Sequence, residues 1–144
     1  AGYWGEPPLA PQAWFDTGDV GMFDPHGGLH VRARRADLIV SGGENVYPAE
    51  VERALEACHG IRAAAVFGVP DETWGQLVAA AFVADGTPPT DDELVAFLDH
   101  HLARHKRPRR IAFVPQLPQT GAGKLDRPAL AALTGQLRAL GSAR

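Results

Sequence analysis

Lys124 stands in the stretch Pro118–Arg127, PQTGAGKLDR, behind Gly121 and Gly123. A lysine after glycine invites comparison with the phosphate-cradling loop G-x-x-x-x-G-K-S/T, set between a strand and a helix. Two residues exclude that loop. Leu125 follows the lysine where the metal-binding hydroxyl belongs, and Pro118 stands where the first glycine belongs. The glycines instead free the turn and leave no side chain to block a ligand. A cation so placed suits an anionic, mobile target, such as a phosphate or a carboxylate under attack. The ordinary alternative is a solvated surface lysine.

Four other stretches could carry chemistry. RHKRPRR, residues 104–110, holds five basic residues and one His. It reads as a solvated helix end, where cations complement the dipole, or as a phosphate site too short for a nucleic-acid track. Trp74 is a large ring between two expected strands, suited to packing under the sheet or to stacking on a purine. Asp19 in TGD, residues 17–19, either satisfies local backbone donors or accepts from a ribose diol. SGGEN, residues 41–45, exposes backbone N–H groups on a glycine loop. The six histidines show no metal spacing, and no serine or cysteine triad can be argued from the spacings.

These residues need elements to position them. Residues 1–28 are rich in Gly, Pro and aromatics (Tyr3, Trp4, Trp14, Phe15, Phe23), with weak strand signals at 20–23 and a turn at DPHGG. So short a stretch cannot bury five aromatics alone, which suggests part of a larger neighbour. LHVRAR (29–34) alternates as a strand, and LIV (38–40) follows. Pro48 suits a helix first turn with Glu50 at its positive end. Val51, Ala54, Leu55 and Cys58 give that helix one apolar face, ended by Gly60. IRAAAVFGV (61–69) and QLVAAAFVA (76–84) read as core strands. Thr90 and Glu93 form a capping box for a helix bearing Leu94, Phe97, Leu98 and Leu102. RIAFVP (110–115) is a third strand. Leu130, Leu133, Leu137 and Leu140 stripe a final helix, with Gly141 past its end. The expected class is α+β: a three-stranded sheet plus a β-hairpin, covered by about three helices.

Composition bounds the rest. The chain has 144 residues, 45% apolar, with net charge −3, so nothing in its bulk charge draws it to nucleic acid or membrane. The single cysteine, Cys58, excludes an internal disulfide and fits a reducing, cytoplasmic setting. No apolar run approaches the roughly 20 residues of a spanning helix. The chain begins at Ala1 and reads as a piece of something longer.

In order, WFDTGD, RRADLIVSGGENVYPAEVE, GVPDETWGQ, KRPRR and LPQTGAGKLDR resemble the C-terminal part of the adenylate-forming acyl-CoA synthetases. That superfamily also holds luciferases and peptide-synthetase adenylation domains. The resemblance covers nearly the whole chain. It implies that residues 1–35 end a large adenylation domain and that residues 36–144 form a mobile lid. The implied reaction activates a carboxylic acid with Mg-ATP as acyl-AMP, then transfers the acyl group to the CoA thiol.

By motif, Lys124 resembles the adenylation lysine, Asp19 the ribose acceptor and Arg34 the nucleotide-contacting arginine. Gly42, Gly43, Glu44 and Asn45 resemble the loop lining the pantetheine tunnel. Trp74, His105 and Arg107 fall where aryl-CoA ligases hold the CoA nucleotide. Pro118–Lys124 fits the P-x-x-x-x-G-K pattern of bacterial lysine acetylases. The family's G-R-x-D-D hinge is here Ala33-Arg34-Arg35-Ala36-Asp37, so Ala36 replaces the usual Asp or Lys beside Asp37. That wording is similar to the o-succinylbenzoate–CoA ligases. GGENVYP favours CoA over a carrier-protein thiol. ATP and Mg2+ would sit mainly on the upstream domain, so the chain alone is expected to be inactive. The alternatives are a stand-alone CoA- or nucleotide-binding module and a simple interaction domain.

Overall fold

The computed structural model describes residue 10 and residues 12–141, with Arg32 and Ala33 by backbone only. Tyr3 and Trp4, two of the five aromatics singled out above, lie outside the described residues. The chain divides into two compact units, Ala1–Ala36 and Asp37–Arg144.

The first unit is built on an antiparallel hairpin, β1 (Asp19–Phe23) and β2 (Leu29–Arg34). Its turn is organised by one carboxylate. Asp24 accepts from the N–H of His26 and of Gly28, each at 2.8 Å, and meets His30 Nε2 at 2.8 Å. The His30 contact, then the two backbone donors, holds its pKa below the ordinary carboxylate value. Trp14, Phe23 and Val31 are exposed.

In the second unit, β3 (Ile39–Ser41) and β4 (Glu44–Val46) form a short hairpin. Then come α1 (Pro48–Glu56), β5 (Ile61–Asp71), β6 (Gly75–Ala84), α2 (Asp91–His101), β7 (Arg110–Phe113) and β8 (Arg138–Ala139). β5 and β6 pair antiparallel along nearly their whole length. β7 lies parallel to β6, which requires the crossover that α2 supplies. β8 pairs antiparallel with β7, and β3 meets β6 at the single pair Ser41–Gly75.

The alternation in β6 explains the layers. Val78, Ala80 and Phe82 face one cluster with Val51, Leu55, Leu94 and Leu98 from the two helices. Ala81 and Val83 face the opposite side, with Ala112, Val114, Leu117, Leu133 and Leu137. Val51, Leu55, Leu94 and Leu98 are almost fully buried, each contributing about 1.5–3 kcal/mol. The Thr90–Glu93 capping box is present in both directions and is worth about 1 kcal/mol.

Among the described residues β5 pairs as a strand only with β6, and α1 supplies its other edge. Glu52 Oε1 accepts from Val66 N–H at 2.9 Å and Glu56 Oε1 from Ala64 N–H at 3.4 Å. Two glutamates one helical turn apart therefore meet alternate residues of the strand.

Three local expectations are corrected. SGGEN is not a free loop: Gly42 and Gly43, at φ +59° and +83°, form the two-residue turn of a hairpin, and Glu44 and Asn45 are strand residues. The first helix stops at Glu56, so Cys58 is buried in the following turn rather than on the helix face. Gly60 serves the entry to β5, where a Cβ would come within 2.6 Å of the Thr87 carbonyl oxygen. The final leucine stripe does not lie on an α-helix. Pro128–Gln136 is 3-10, whose three-residue period brings Leu130 and Leu133 inward, and the chain then extends as β8. β7 would otherwise present an open edge there, and pairing with it outweighs helix continuation past Gly135. Gly141 donates to Asp91 instead of capping a helix.

Arg138 reaches back across the sequence to Asp91, with two nitrogen–oxygen contacts of 2.7 Å. That bidentate pair, with the Gly141 N–H, lowers the Asp91 pKa and raises that of Arg138. A depressed carboxylate contributes stability above its unfolded pKa and loses it as pH falls through the folded value. Wild type should therefore melt above Asp91→Asn at neutral pH. The gap should shrink below about pH 4. Melting temperatures of both proteins between pH 2.5 and 7 check this.

Candidate functional site

Lys124 sits on a turn whose geometry follows from its glycines. Thr120 N–H donates to the Lys124 carbonyl at 2.7 Å and Gly123 N–H to the Thr120 carbonyl at 2.9 Å. Gly123 has φ +75°, the left-handed residue that closes a three-residue hairpin turn. Gln119 bridges Leu125, and Asp126 N–H donates to the Pro118 carbonyl at 2.9 Å. The stem is thus laced by backbone, while Gly121 to Lys124 are exposed. Among the described residues, no carboxylate pairs with the Lys124 ammonium. The side chain is offered to solvent rather than locked inward.

Beyond the stem, Arg127 is held by three acceptors. Its Nε contacts Asp37 Oδ2 at 3.2 Å, its Nη2 contacts Glu52 Oε2 at 3.1 Å, and its Nη1 donates to the Val66 carbonyl at 3.3 Å. Sequence reasoning missed this residue. Its partners lie 61 and 75 positions away in Val66 and Glu52, and no local pattern announces them.

A second assembly forms around Trp74. The β5–β6 turn is set by Asp71, whose Oδ1 accepts from Thr73 N–H at 3.0 Å and Trp74 N–H at 2.9 Å. The Trp74 carbonyl accepts from Gly42 N–H at 2.9 Å. A Cβ on Gly42 would fall 2.6 Å from the indole, so the glycine is required by both φ and contact. The Arg109 guanidinium lies 4.1 Å from the ring centroid, a cation–π contact the sequence did not single out. Gln76 Oε1 accepts from Val40 N–H at 2.9 Å and fastens β3 beside β6. Gly42, Trp74 and Arg109 are therefore brought together, with Gly43, Glu44 and Asn45 continuing the hairpin.

The basic stretch divides by role. Lys106 pairs with Glu50 at 2.5 Å and ties the 3-10 turn Arg104–Lys106 to the first turn of α1; β4 lies against the same turn. Arg107 closes the C-terminus of α2: its Nε donates to the Leu102 carbonyl at 2.8 Å and its Nη1 pairs with Asp99. Arg104, Arg107 and Arg109 line an open cleft of about 350 Å³ with Asp99, Val95, Leu98 and Leu140, Asp99 being the partner of Arg107. His105 is half-buried and is not one of the residues lining it.

In the first unit, the two expected nucleotide contacts are each other's partners. Asp19 and Arg34 are opposite one another across the hairpin, with Arg34 Nε 2.9 Å from Asp19 Oδ1. Thr17 Oγ1 accepts from Asp19 N–H at 3.1 Å, and the Thr17 carbonyl accepts from Arg34 Nη1 at 3.3 Å. Neighbouring Asp16 is held below its ordinary pKa by the Gly18 N–H and then by Arg35. Ala36 is exposed, whereas Asp37 is engaged by Arg127. No group of three His, Cys, Asp or Glu side chains among the described residues could hold a metal. No described helix is long and apolar enough to cross a membrane.

The contrast between the two hairpin glycines is measurable. Gly43→Ala adds only left-handed strain, about 1–2 kcal/mol, because no atom lies within 4 Å of its Cβ position. Gly42→Ala adds a collision with Trp74, for about 1–3 kcal/mol more. Urea unfolding midpoints should rank wild type above Gly43→Ala above Gly42→Ala. Only Gly42→Ala should change the near-UV signal of the indole.

Known proteins match this chain closely. Residues 50–124, more than half of it, match the family described as AMP-binding enzyme C-terminal domain. A feruloyl-CoA synthase of Amycolatopsis sp is 46% identical over 129 residues, covering 86% of this chain and 26% of that protein. A 2-succinylbenzoate–CoA ligase of Geobacillus kaustophilus is 50% identical over 132 residues, covering 88% of this chain and 27% of that protein. The o-succinylbenzoate CoA synthetase of Bacillus subtilis, solved with its acyl-adenylate intermediate, superposes with a TM-score of 0.78 at 39% identity. That match covers 84% of this chain and 25% of the solved chain. The chain thus spans about a quarter of the length of the relatives it matches. On sequence and fold together, it belongs to the family of AMP-binding enzyme C-terminal domains.

Proposed function

We propose that this chain is the C-terminal part of an ATP-dependent acyl- or aryl-CoA ligase. Residues 36–144 act as its mobile lid, and residues 1–35 belong to the large adenylation domain. The observation that carries this reading is Lys124: a cation with no carboxylate partner among the described residues, on a glycine turn exposed at its tip and laced at its stem. In the first half-reaction a carboxylate oxygen bonds to the α-phosphorus of ATP and pyrophosphate leaves. Negative charge gathers where the two groups meet, and Lys124 would neutralise it there. In the second, the CoA sulfur bonds to the acyl carbon and AMP leaves.

The other roles follow the same logic. Asp19 and Arg34 offer a carboxylate to the ribose hydroxyls and a guanidinium to the nucleotide. The Gly42–Gly43 turn, with Glu44 and Asn45, would let the pantetheine arm approach backbone closely. Trp74, His105 and Arg107 would hold the CoA nucleotide. The arginine-lined cleft supports a phosphate in this region. Ala36 and Asp37 would carry the hinge. Mg2+ would travel with the triphosphate on the larger domain. The substrate class is a carboxylic acid, aromatic in all three of the relatives named above. Pro118–Lys124 would also present its lysine to a lysine acetylase, silencing the first half-reaction.

Two measurements test the reading. In the full-length ligase, Lys124→Ala should slow acyl-AMP formation by roughly 10²- to 10³-fold, the scale of one lost charge-stabilising donor. Thioester formation from supplied acyl-AMP should persist. Equal loss in both halves would reject the assignment. The purified 144-residue chain should release no pyrophosphate from ATP and an acid; release above background would reject the division of labour.

A further inference from the structure

We infer that Arg127 is the positioning residue that aims Lys124, an inference that rests on the reading just given. The Lys124 turn is well defined within itself but makes few side-chain contacts. Its hydrogen bonds run from Thr120 to Lys124 and from Asp126 to Pro118, all inside the hairpin. They fix the shape of the turn and leave its direction open. Direction must come from where the stem joins the body. Asp126 at that junction caps its own 3-10 segment, with Oδ1 accepting from Ala129 N–H at 3.2 Å. On the N-terminal side of the junction Leu117 packs against the core; on the C-terminal side Arg127 reaches across with directional polar bonds, to Asp37, to Glu52 of α1 and to the backbone of Val66 in β5.

A planar guanidinium donating to three acceptors on three segments fixes orientation as well as distance. The three partners and Arg127 itself are all half-buried or better. Lys124 lies three residues away, about 10 Å of extended chain. A tilt of a few degrees at the stem would shift the ammonium by on the order of 1 Å, a misplacement that can cost about 10²-fold. Arg127 also carries Asp37, the first residue of the second unit, so the same side chain fastens the start of that unit to the base of the lysine turn.

The test uses the full-length ligase and measures the two half-reactions separately. Arg127→Lys keeps the charge but loses the fork. Acyl-AMP formation should fall about tenfold or more, while thioester formation from supplied acyl-AMP stays within about twofold. In a Lys124→Ala background the same change should cause no further loss of adenylation. Parallel loss of both half-reactions, no loss, or losses that multiply in the double variant would overturn the inference. Should Arg127→Lys fail to fold, Glu52→Gln decides: it should slow adenylation alone, by about threefold, and an unselective loss or none overturns the inference. If Lys124→Ala leaves adenylation intact, the proposed function itself falls. If Lys124→Ala behaves as stated and Arg127→Lys does not, only the positioning role falls.

Discussion

A buried strand edge must find hydrogen-bond partners, and in this protein the free edge of β5 finds them in side chains. Val66 is fully buried, yet its N–H and carbonyl face away from β6. Leaving either unmet would cost on the order of 1–3 kcal/mol. Glu52 supplies the acceptor and Arg127 the donor, and the two side chains then pair with each other. This one requirement fixes α1 against the sheet, brings the C-terminal segment to the same place, and leaves Arg127 free to hold Asp37 as well. The lysine turn is rooted in a backbone need, although its own residues touch little.

The second assembly obeys a different constraint, close approach. Gly42 accepts the indole of Trp74 because it has no Cβ, and the main-chain bond from Gly42 to Trp74 closes the contact. Arg109 then caps the ring. Three sequence-distant stretches (the glycine hairpin, the β5–β6 turn and the basic run) converge because each is the end of a strand in one sheet. Arg104, Arg107 and Arg109 gather around one cleft with a single carboxylate among the described residues, Asp99, which pairs with Arg107, although the chain as a whole is acidic.

Features with local causes were readable from the sequence. Period-two alternation marked β2, apolar runs marked β5 and β6, Thr90 and Glu93 marked the start of α2, and Pro48 marked that of α1. The ordered motifs pointed to the family that the matches then showed. What failed to show had distant causes. Leu137 and Leu140 looked helical because the competing pairing with β7 is written nearly 30 residues earlier. SGGEN looked like a loop because strand pairing at Glu44 depends on positive φ at both glycines, which composition permits without dictating. Arg127 and Arg109 were hidden for the same reason: their importance lies in partners on other elements.

The placement of β8 bears on how the molecule is made. β7 takes its partner on the outer side from Arg138 and Ala139, near the end of the second unit. During synthesis the ribosome delivers β5, β6, α2 and β7 well before that strip of chain emerges. For that interval a short apolar ribbon, RIAF, shows unpaired amides to whatever surrounds it. The two-residue strand is the clasp that ends the exposure.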